Sequence, residues 1–270
     1  MATKREREDD SGSPVAEMDH NAEAVATDIA KQPKMVVAAG RGKVGKSVFL
    51  RWAVERCLER GGEPVIADAD RTNQTLAAFF PSATRPPSAE DDDVRLWLND
   101  LADTQIERRT TSFLDLGGGD LTLKQWARDL DLAPFLAKHG ITPVVLHLLG
   151  SDLDDLSYLR DLETVFAPPH TVVILNEGMV PSGRSPLSAF EPIISHSVFK
   201  AAVDRGARVL RMPRLGCMQD VDRRRLGFQD AEHGRVKPGQ DRIGPTMQQM
   251  IFMWRREMES AFSSISPWIS

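Results

Sequence analysis

The sequence predicts an α/β protein of three layers, with a mostly parallel central sheet and helices on both of its faces. Three observations support this class. The chain has 270 residues, 41 % of them hydrophobic, which is enough for a sizeable core. From Met35 onward, short apolar runs alternate with longer mixed segments, as in repeated strand–helix–strand units. The short runs are apolar throughout, as expected of strands that are covered on both faces.

This alternation predicts the positions of the strands and helices along the chain. We predict strands at residues 35–39, 64–67, 112–116, 143–148, 171–175 and 207–212. Helices are predicted between them at residues 46–60, 94–107, 123–138, 153–166 and 187–204, with glycines near several of their ends. Residues 81–93, which contain two adjacent prolines and four successive acids, are expected to form an exposed loop.

A polar stretch at residues 220–244 precedes the last predicted helix, at residues 246–262. Apolar side chains recur there at helical spacing, at Met247, Met250, Ile251, Trp254, Met258 and Phe262. Packing of this helix against the sheet is favoured over a membrane or partner helix, and the acidic residues mixed into the stripe weaken the membrane alternative.

The first 34 residues differ in composition from the rest of the chain. They contain five basic and eight acidic residues, a Ser-Gly-Ser-Pro break and almost no large apolar residue. We therefore predict a disordered N-terminal tail at residues 1–34. Residues 35–270 are predicted to form a single domain that ends with the C-terminal helix.

Charge and cysteine content exclude several classes of protein. A net charge of −5 argues against a strongly basic nucleic-acid binder, although it leaves local patches open. Cys57 and Cys217 form no CxxC pair for zinc or an iron–sulfur cluster, and the six histidines show no metal-ligand spacing. No signal peptide and no apolar run of about 18 residues is evident, so we expect a cytoplasmic protein without a membrane span.

The strongest motif lies between the first strand and the first helix, where residues 40–47 satisfy G-x-x-x-x-G-K-[ST]. The predicted phosphate-binding residues are Gly40, Arg41, Gly42, Lys43, Val44, Gly45, Lys46 and Ser47. Glycines let successive backbone N–H groups face an anion, and the helix N-terminus adds its positive dipole end. Lys46 would reach the β- and γ-phosphates, and Ser47 would supply an oxygen to Mg²⁺. The alternative is a Gly-rich turn that binds nothing.

A second carboxylate for the metal should end another buried strand. Asp115 fits this position, because it lies in the third strand and is followed by Gly117, Gly118 and Gly119. Asp115 would hold a water of the Mg²⁺ shell, and Gly118 would let a backbone N–H approach the γ-phosphate. Asp115 could instead simply begin a Gly-rich turn.

Asp68 and Asp70 emerge from the second strand, and alternation places them on the same side of the extended chain. We predict that Asp70 orients the attacking water and that Asp68 supports the magnesium shell. Without a function, both would be turn residues before a helix capped by Thr72 or Asn73.

Together, these three motifs resemble those of the deviant Walker A ATPases, the ParA/MinD family, over about residues 35–215. The resemblance implies a three-layer P-loop NTPase fold, ATP and Mg²⁺ as cofactors, and slow, partner-stimulated hydrolysis to ADP and phosphate. It also implies a nucleotide-dependent homodimer that positions plasmids, division sites or other cargo. Within the family, residues 68–76 are most similar to the plasmid conjugal-transfer and mobilisation branch, which is TraL-like and would act with a plasmid-encoded partner protein.

The phosphate loop departs from the family pattern Lys-Gly-Gly-x-Gly-Lys at two positions. Arg41 replaces the first Lys, which in the family reaches the phosphates of the partner subunit, and arginine can serve that electrostatic role. Lys43 replaces the second Gly and places a side chain where the partner would approach. Lys43 is compatible with ATP binding. Whether it also permits the nucleotide-dependent homodimer is left open.

The resemblance also implies a base site. Asn176, at the end of the fifth strand, would contact the adenine, and Pro213, in the loop after the last strand, would flank it. The alternative for Asn176 is a residue that turns the chain out of the strand.

Further alternatives follow from the same motifs. Seven arginines between residues 205 and 225 could bind DNA non-specifically, or form a solvated surface offset by nearby acids. A small-molecule ligase or kinase of the dethiobiotin-synthetase type shares the phosphate loop and the magnesium acids. A third hypothesis is a nucleotide-gated binding module with negligible hydrolysis, which is favoured if Lys43 blocks dimerisation.

Overall fold

The computed structural model describes residues 31–118 and 121–270. The tail predicted for residues 1–34 lies outside them, except for its last four residues. Among the described residues, no helix combines the length and the apolar character needed to cross a lipid bilayer.

A six-stranded sheet forms the centre of the molecule, and all of its strand pairs are parallel. The strands are β1 (Lys34–Ala39), β2 (Val65–Ala69), β3 (Ser112–Leu116), β4 (Thr142–Leu149), β5 (His170–Asn176) and β6 (Arg208–Met212). Their order across the sheet is β2-β3-β1-β4-β5-β6. Five of the six predicted strands are displaced by one or two residues at one or both ends, and the third has the predicted bounds.

Eleven α-helices occur in the described residues. They are α1 (Lys46–Glu59), α2 (Thr75–Phe79), α3 (Asp91–Arg108), α4 (Leu121–Leu130), α5 (Leu132–Lys138), α6 (Asp155–Glu163), α7 (Pro186–Ser195), α8 (Ser197–Asp204), α9 (Met218–Arg224), α10 (Phe228–Glu232) and α11 (Pro245–Ala261). Short 3₁₀ helices follow at Glu177–Met179 and Ser263–Trp268.

Both faces of the sheet are covered by helices. Because successive side chains of a strand point to opposite faces, Val36 and Val37 of β1 belong to different buried clusters. Phe49 of α1 and Trp254 of α11 pack on the Val36 side, while Trp126 of α4 packs on the Val37 side. The predicted three-layer α/β class is confirmed.

Two predicted helices are each two helices in the structure. Residues 123–138 are interrupted at Asp131, whose φ of 48° is left-handed, so α4 and α5 are separate. Residues 187–204 are interrupted at His196, which has an extended backbone and accepts a hydrogen bond from Val198 N through its side chain. The periodicity of apolar residues continues across both breaks and so does not reveal them.

The loop predicted at residues 81–93 ends earlier than expected, because α3 begins at Asp91. Three acids occupy the first turn of α3, where carboxylates interact favourably with the helix dipole. The stretch 220–244 is not only polar loop, since it contains most of α9 and all of α10. The last predicted helix is present as α11 and packs on the core through Ile251, Trp254 and Met258.

Candidate nucleotide-binding site

The predicted site residues lie at the carboxyl edge of the sheet. Residues 40–45 connect β1 to α1, and the loops that follow β2, β3 and β5 open at the same edge. β1 lies between β3 and β4, so the chain leaves β1 at a place where the strand order reverses direction. Such crevices are the usual ligand sites of open parallel sheets.

Glycine is required at two positions of the phosphate loop. Gly40 has a φ of 141°, and a Cβ there would lie 2.5 Å from Leu148 O. Gly45 has a φ of 99°, and a Cβ there would collide with the side-chain amide of Asn176. Lys43 also adopts a left-handed φ, 68°, which costs more for a residue with a side chain than for glycine. The loop is thus tightly curved where the motif predicts a phosphate cradle.

Lys46, the first residue of α1, is buried and folds back over this loop. Its ammonium group donates hydrogen bonds to Gly40 O at 3.2 Å and to Arg41 O at 3.0 Å. Burial lowers the pKa of Lys46, and the carboxylates of Asp115 and Asp70 oppose that shift. The Lys46 ammonium is therefore held inside the loop, hydrogen-bonded to two carbonyls, where its positive charge would attract an anion.

Ser47 and Asp115 are joined by a hydrogen bond. The Ser47 hydroxyl donates to Asp115 Oδ2 at 2.6 Å, whereas Asp115 Oδ1 is buried and has no hydrogen-bond partner among the described residues. Burial raises the pKa of Asp115 to about 7; the Ser47 hydrogen bond and Lys46 lower it, and Asp68 and Asp70 raise it further. An unsatisfied buried carboxylate oxygen calls for a ligand or a proton.

Asp68 lies beside Asp115 in the sheet, as its register partner on β2. Both of its oxygens accept backbone hydrogen bonds, Oδ1 from Asp70 N at 3.1 Å and Oδ2 from Ala77 N at 2.8 Å. Burial raises the pKa of Asp68. Its side chain therefore ties the start of α2 to the end of β2, close to the Ser47–Asp115 pair.

Asp70 shapes the turn that follows β2. Its Oδ1 accepts hydrogen bonds from Thr72 N at 2.8 Å and Asn73 N at 3.0 Å. The next helix, α2, is preceded by Gln74 and has no side-chain cap, so the alternative in which Thr72 or Asn73 caps it is not observed. The carboxylate of Asp70 is close enough to Lys46 to raise the lysine pKa.

A divalent cation would fit the oxygen donors of Ser47 and Asp115. Among residues 31–118 and 121–270, no group of three or more His, Cys, Asp or Glu side chains is arranged to hold a metal ion. A cation with one or two protein ligands that takes its other ligands from water and phosphate, as Mg²⁺ does, matches this sparse donor set.

The loop after β3 touches the phosphate loop through two glycines. A Cβ on Gly118 would lie 2.7 Å from the carbonyl carbon of Arg41 and closer still to the backbone of Gly42. Gly42, by contrast, has open space where its own Cβ would be. Only glycine at position 118 allows this close approach. The backbone of Gly118 thereby lies against the phosphate loop, on the side where the γ-phosphate is predicted.

Asn176 and the loop after β6 meet at Gly45. The Asn176 amide donates to Val44 O at 2.8 Å, and its Oδ1 accepts from Gly178 N at 2.9 Å. The methyl carbon of Met212 is 3.2 Å from the position of a Cβ on Gly45. Asn176 thus turns the chain out of β5, which is the alternative to a base contact. It also binds the phosphate loop through the carbonyl of Val44. Pro213 directly follows Met212 in the chain, and its carbonyl accepts a hydrogen bond from the Trp254 indole N–H.

Arg41 is engaged within its own chain. Its Nη1 lies 3.4 Å from Asp152, 3.6 Å from Asp154 and 3.5 Å from Asp155. Asp155 is buried and also accepts a hydrogen bond from Gly150 N at 2.7 Å. Sequence reasoning missed these partners, although three acids within four residues directly after β4 are a signal for a cation nearby.

Most of the late arginines have partners in the described structure. Arg205 pairs with Glu163, Arg211 with Glu177, Arg223 and Arg224 with Asp220, and Arg208 donates to Ser264 O. The four ion pairs favour the interpretation as a solvated surface offset by acids over a continuous DNA-binding patch.

Comparisons with known proteins give likenesses of structure only. No protein-family model matches the chain, and no curated protein sequence matches it. The MinD cell division protein of Aquifex aeolicus is 14 % identical, with a TM-score of 0.47 over 83 % of this chain and 97 % of that one. FtsY of Elizabethkingia anophelis is 11 % identical, with a TM-score of 0.46 over 91 % of this chain and 75 % of that one.

Chloroplast FtsY of Physcomitrella patens is 17 % identical, with a TM-score of 0.39 over 58 % of this chain. The match spans 59 % of the length of that FtsY structure. At such identities and TM-scores, these likenesses carry no conclusion about the activity of this chain.

Proposed function

We propose that this chain is a Mg-ATP-dependent switch ATPase of the ParA/MinD type. The observation that carries the proposal is the junction of Ser47 and Asp115 beside the buried Lys46 ammonium. A hydroxyl, a carboxylate with one unsatisfied oxygen and a lysine at the start of a helix are the groups that bind a metal–triphosphate complex.

Each residue has a role in this proposal. Backbone N–H groups of residues 40–47 and the Lys46 ammonium bind the phosphates, displacing the lysine from the loop carbonyls. Ser47 and Asp115 would hold Mg²⁺, with Asp68 as support; the ion would neutralise charge on the phosphate oxygens. Asp70 would orient a water molecule for attack on the γ-phosphorus, which gives ADP and phosphate.

Asn176 and Pro213 would contact the base, since Asn176 lies against Gly45 and Pro213 directly follows Met212, whose methyl carbon also lies near Gly45. Hydrolysis would relax a nucleotide-dependent homodimer and release a partner. The cellular role of this cycle would be the partition, positioning or mobilisation of a plasmid complex. We further propose that the chain acts with a plasmid-encoded partner protein and that it contacts DNA directly. The similarity of residues 68–76 to the TraL-like branch supports the mobilisation role.

A second candidate is a nucleotide-gated binding module that remains monomeric. The observation that favours it is the contact of Arg41 with three aspartates of its own chain. An arginine held in this way is not free to reach the phosphates of a partner. Lys43 adds a side chain on the same loop.

Light scattering coupled to size-exclusion chromatography separates the two candidates. The Asp70→Ala variant, in which hydrolysis should be blocked, is compared with and without Mg-ATP. A dimer that forms only with nucleotide supports the switch, and a monomer under both conditions overturns it in favour of the monomeric module. Turnover that requires a small acceptor molecule, in an assay without DNA, would instead support the ligase alternative.

A binding measurement tests the site itself. Lys46→Ala is expected to lose most of its affinity for Mg-ATP, whereas Lys200→Ala, which removes an exposed lysine on α8, should bind as the unmutated chain does. Unchanged ATP binding by Lys46→Ala would overturn the assignment of the phosphate loop.

A further inference from the structure

Trp254 lies on the buried side of α11. Its indole ring is 3 % exposed and packs in the same core cluster as β1 and α1. A buried indole carries one N–H donor, which is costly to leave without an acceptor. Trp254 Nε1 donates to Pro213 O at 2.9 Å, in a fully buried hydrogen bond between residues 41 positions apart.

The acceptor lies in the loop after β6, the loop proposed to flank the base. Met212 precedes Pro213 and places its methyl carbon 3.2 Å from the Cβ position of Gly45. A cleft of about 570 Å³ opens beside this loop, lined in part by Arg214, Gly216 and Trp254 itself. Arg214 and Gly216 are exposed at this cleft, and the indole hydrogen bond fixes the loop at the buried Pro213.

The position of Trp254 is itself set by α1, the helix that begins at Lys46. The ring of Phe228 lies 4.7 Å from the Trp254 ring, at 48°. The carboxylate of Glu55, on α1, accepts hydrogen bonds from Phe228 N at 2.9 Å and Gln229 N at 3.1 Å. A continuous set of contacts thus connects the indole to the helix of the phosphate loop.

We propose that Trp254 is a positioning residue for the nucleobase: its hydrogen bond fixes the Pro213 carbonyl, and with it the wall of the base site. This inference rests on the proposed function. It predicts that the indole N–H contributes to the affinity for the base and not to the affinity for the phosphates, which are bound by residues 40–47.

Calorimetric titration with two probes tests this separation. The probes are Mg-ATP, which carries a base, and Mg-tripolyphosphate, which does not. Trp254→Phe keeps an aromatic ring and removes the N–H group. Because one buried hydrogen bond is lost, we expect its affinity for Mg-ATP to fall by about 5- to 10-fold and its affinity for Mg-tripolyphosphate to be unchanged.

Trp126→Phe is the matched control. Trp126 is also buried and donates its indole N–H, to Asn99 Oδ1 at 2.9 Å, but it lies on the opposite face of the sheet. Its replacement should leave both affinities unchanged. The inference is overturned if Trp254→Phe behaves like Trp126→Phe, or if it weakens the two probes equally. Failure of the unmutated chain to bind either probe would instead overturn the proposed function together with the inference.

A second measurement covers the case in which Trp254→Phe does not fold. In the NMR spectrum of the unmutated chain, the Trp254 indole N–H resonance should shift on addition of Mg-ATP and stay in place with Mg-tripolyphosphate. Equal responses to the two probes would overturn the inference.

Discussion

The Ser47 hydroxyl donates a 2.6 Å hydrogen bond to Asp115 Oδ2, which joins the first turn of α1 to the buried strand β3. Asp115 is fully buried, and its other oxygen has no hydrogen-bond partner. The cost of burying the charge raises the pKa of this carboxyl from 3.8 to about 7. The end of β3 is therefore sensitive to pH in the neutral range.

We predict that Asp115→Asn flattens the pH dependence of stability. Between pH 4 and pH 7, folded Asp115 retains a proton that the unfolded chain has released, so its raised pKa makes the free energy of unfolding fall as pH rises through this range. An asparagine cannot ionise and can still accept from Ser47. In the absence of nucleotide and metal, the variant should be more stable than the unmutated chain above about pH 7.

Urea denaturation at several pH values measures this effect. Asp129→Asn, which alters an exposed aspartate on α4, is the control and should follow the profile of the unmutated chain. Parallel profiles for the unmutated chain and Asp115→Asn would contradict the raised pKa.

A pair of glycine substitutions tests the contact between the two loops. A Cβ on Gly118 would meet backbone atoms of Arg41 and Gly42, which cannot rotate away, whereas a Cβ on Gly42 meets nothing within 4 Å. Gly118→Ala should therefore lower the free energy of unfolding by about 1–3 kcal/mol, and Gly42→Ala by less than about 1 kcal/mol. Thermal unfolding without nucleotide compares them, and equal melting temperatures would show that the loops do not touch.

The strands and the phosphate loop could be predicted because their signals are local. Each strand is a short apolar run. Residues 40–47 satisfy a motif in which glycine is sterically required, as the close contacts at Gly40 and Gly45 show. Parallel strands end at the same edge of a sheet, so Asp68 and Asp115 could be expected near each other, and they are register partners. Their roles with a metal remain predictions.

The missed features depend on residues far apart in the chain. The short helix α10 is capped by Glu55, which lies more than 170 positions earlier. Apolar periodicity carries no information about such a cap. The contact of Arg41 with the acids after β4 is likewise set by the pairing of β1 with β4. The three acids after β4 signal a nearby cation, but which cation they contact follows from the fold.

Arg51 provides a prediction about stability on the side of the sheet that carries α1. Its guanidinium group is buried between the rings of Phe79 and Phe228, at 4.1 and 3.9 Å, and its Nη1 donates to Asp222 at 2.9 Å. Arg51→Ala removes the stacking and leaves a cavity, so the free energy of unfolding should fall by about 3–5 kcal/mol. Arg51→Lys keeps a charge but loses the planar stacking, and should be intermediate.

Urea denaturation checks this order, with Arg223→Ala as the control. The Arg223 side chain is 71 % exposed and pairs with Asp220, so its loss should cost less than about 1 kcal/mol. Similar losses for Arg51→Ala and Arg223→Ala would show that Arg51 does not join α1 to α9 and α10.

The contact of Arg41 with Asp152, Asp154 and Asp155 leads to the last prediction. If Arg41 must leave these carboxylates to reach a partner subunit, weakening the contact should favour the dimer. Asp152 and Asp154 have side chains that are 64 % and 80 % exposed, so neutralising both should change folding stability little. The double variant Asp152→Asn/Asp154→Asn should therefore dimerise with Mg-ATP at a several-fold lower protein concentration than the unmutated chain.

Light scattering over a protein concentration series gives the midpoint of dimerisation. The same two substitutions are also made in an Arg41→Ala chain, in which the acids have no arginine to contact. There, neutralising the acids should not move the midpoint of dimerisation. An equal shift with and without Arg41 would mean that the acids oppose dimerisation through their own charge. No shift in either background would mean that Arg41 contacts the acids without competing with a partner subunit. Only a shift that requires Arg41 shows that the contact within the chain and the contact across the dimer exclude each other.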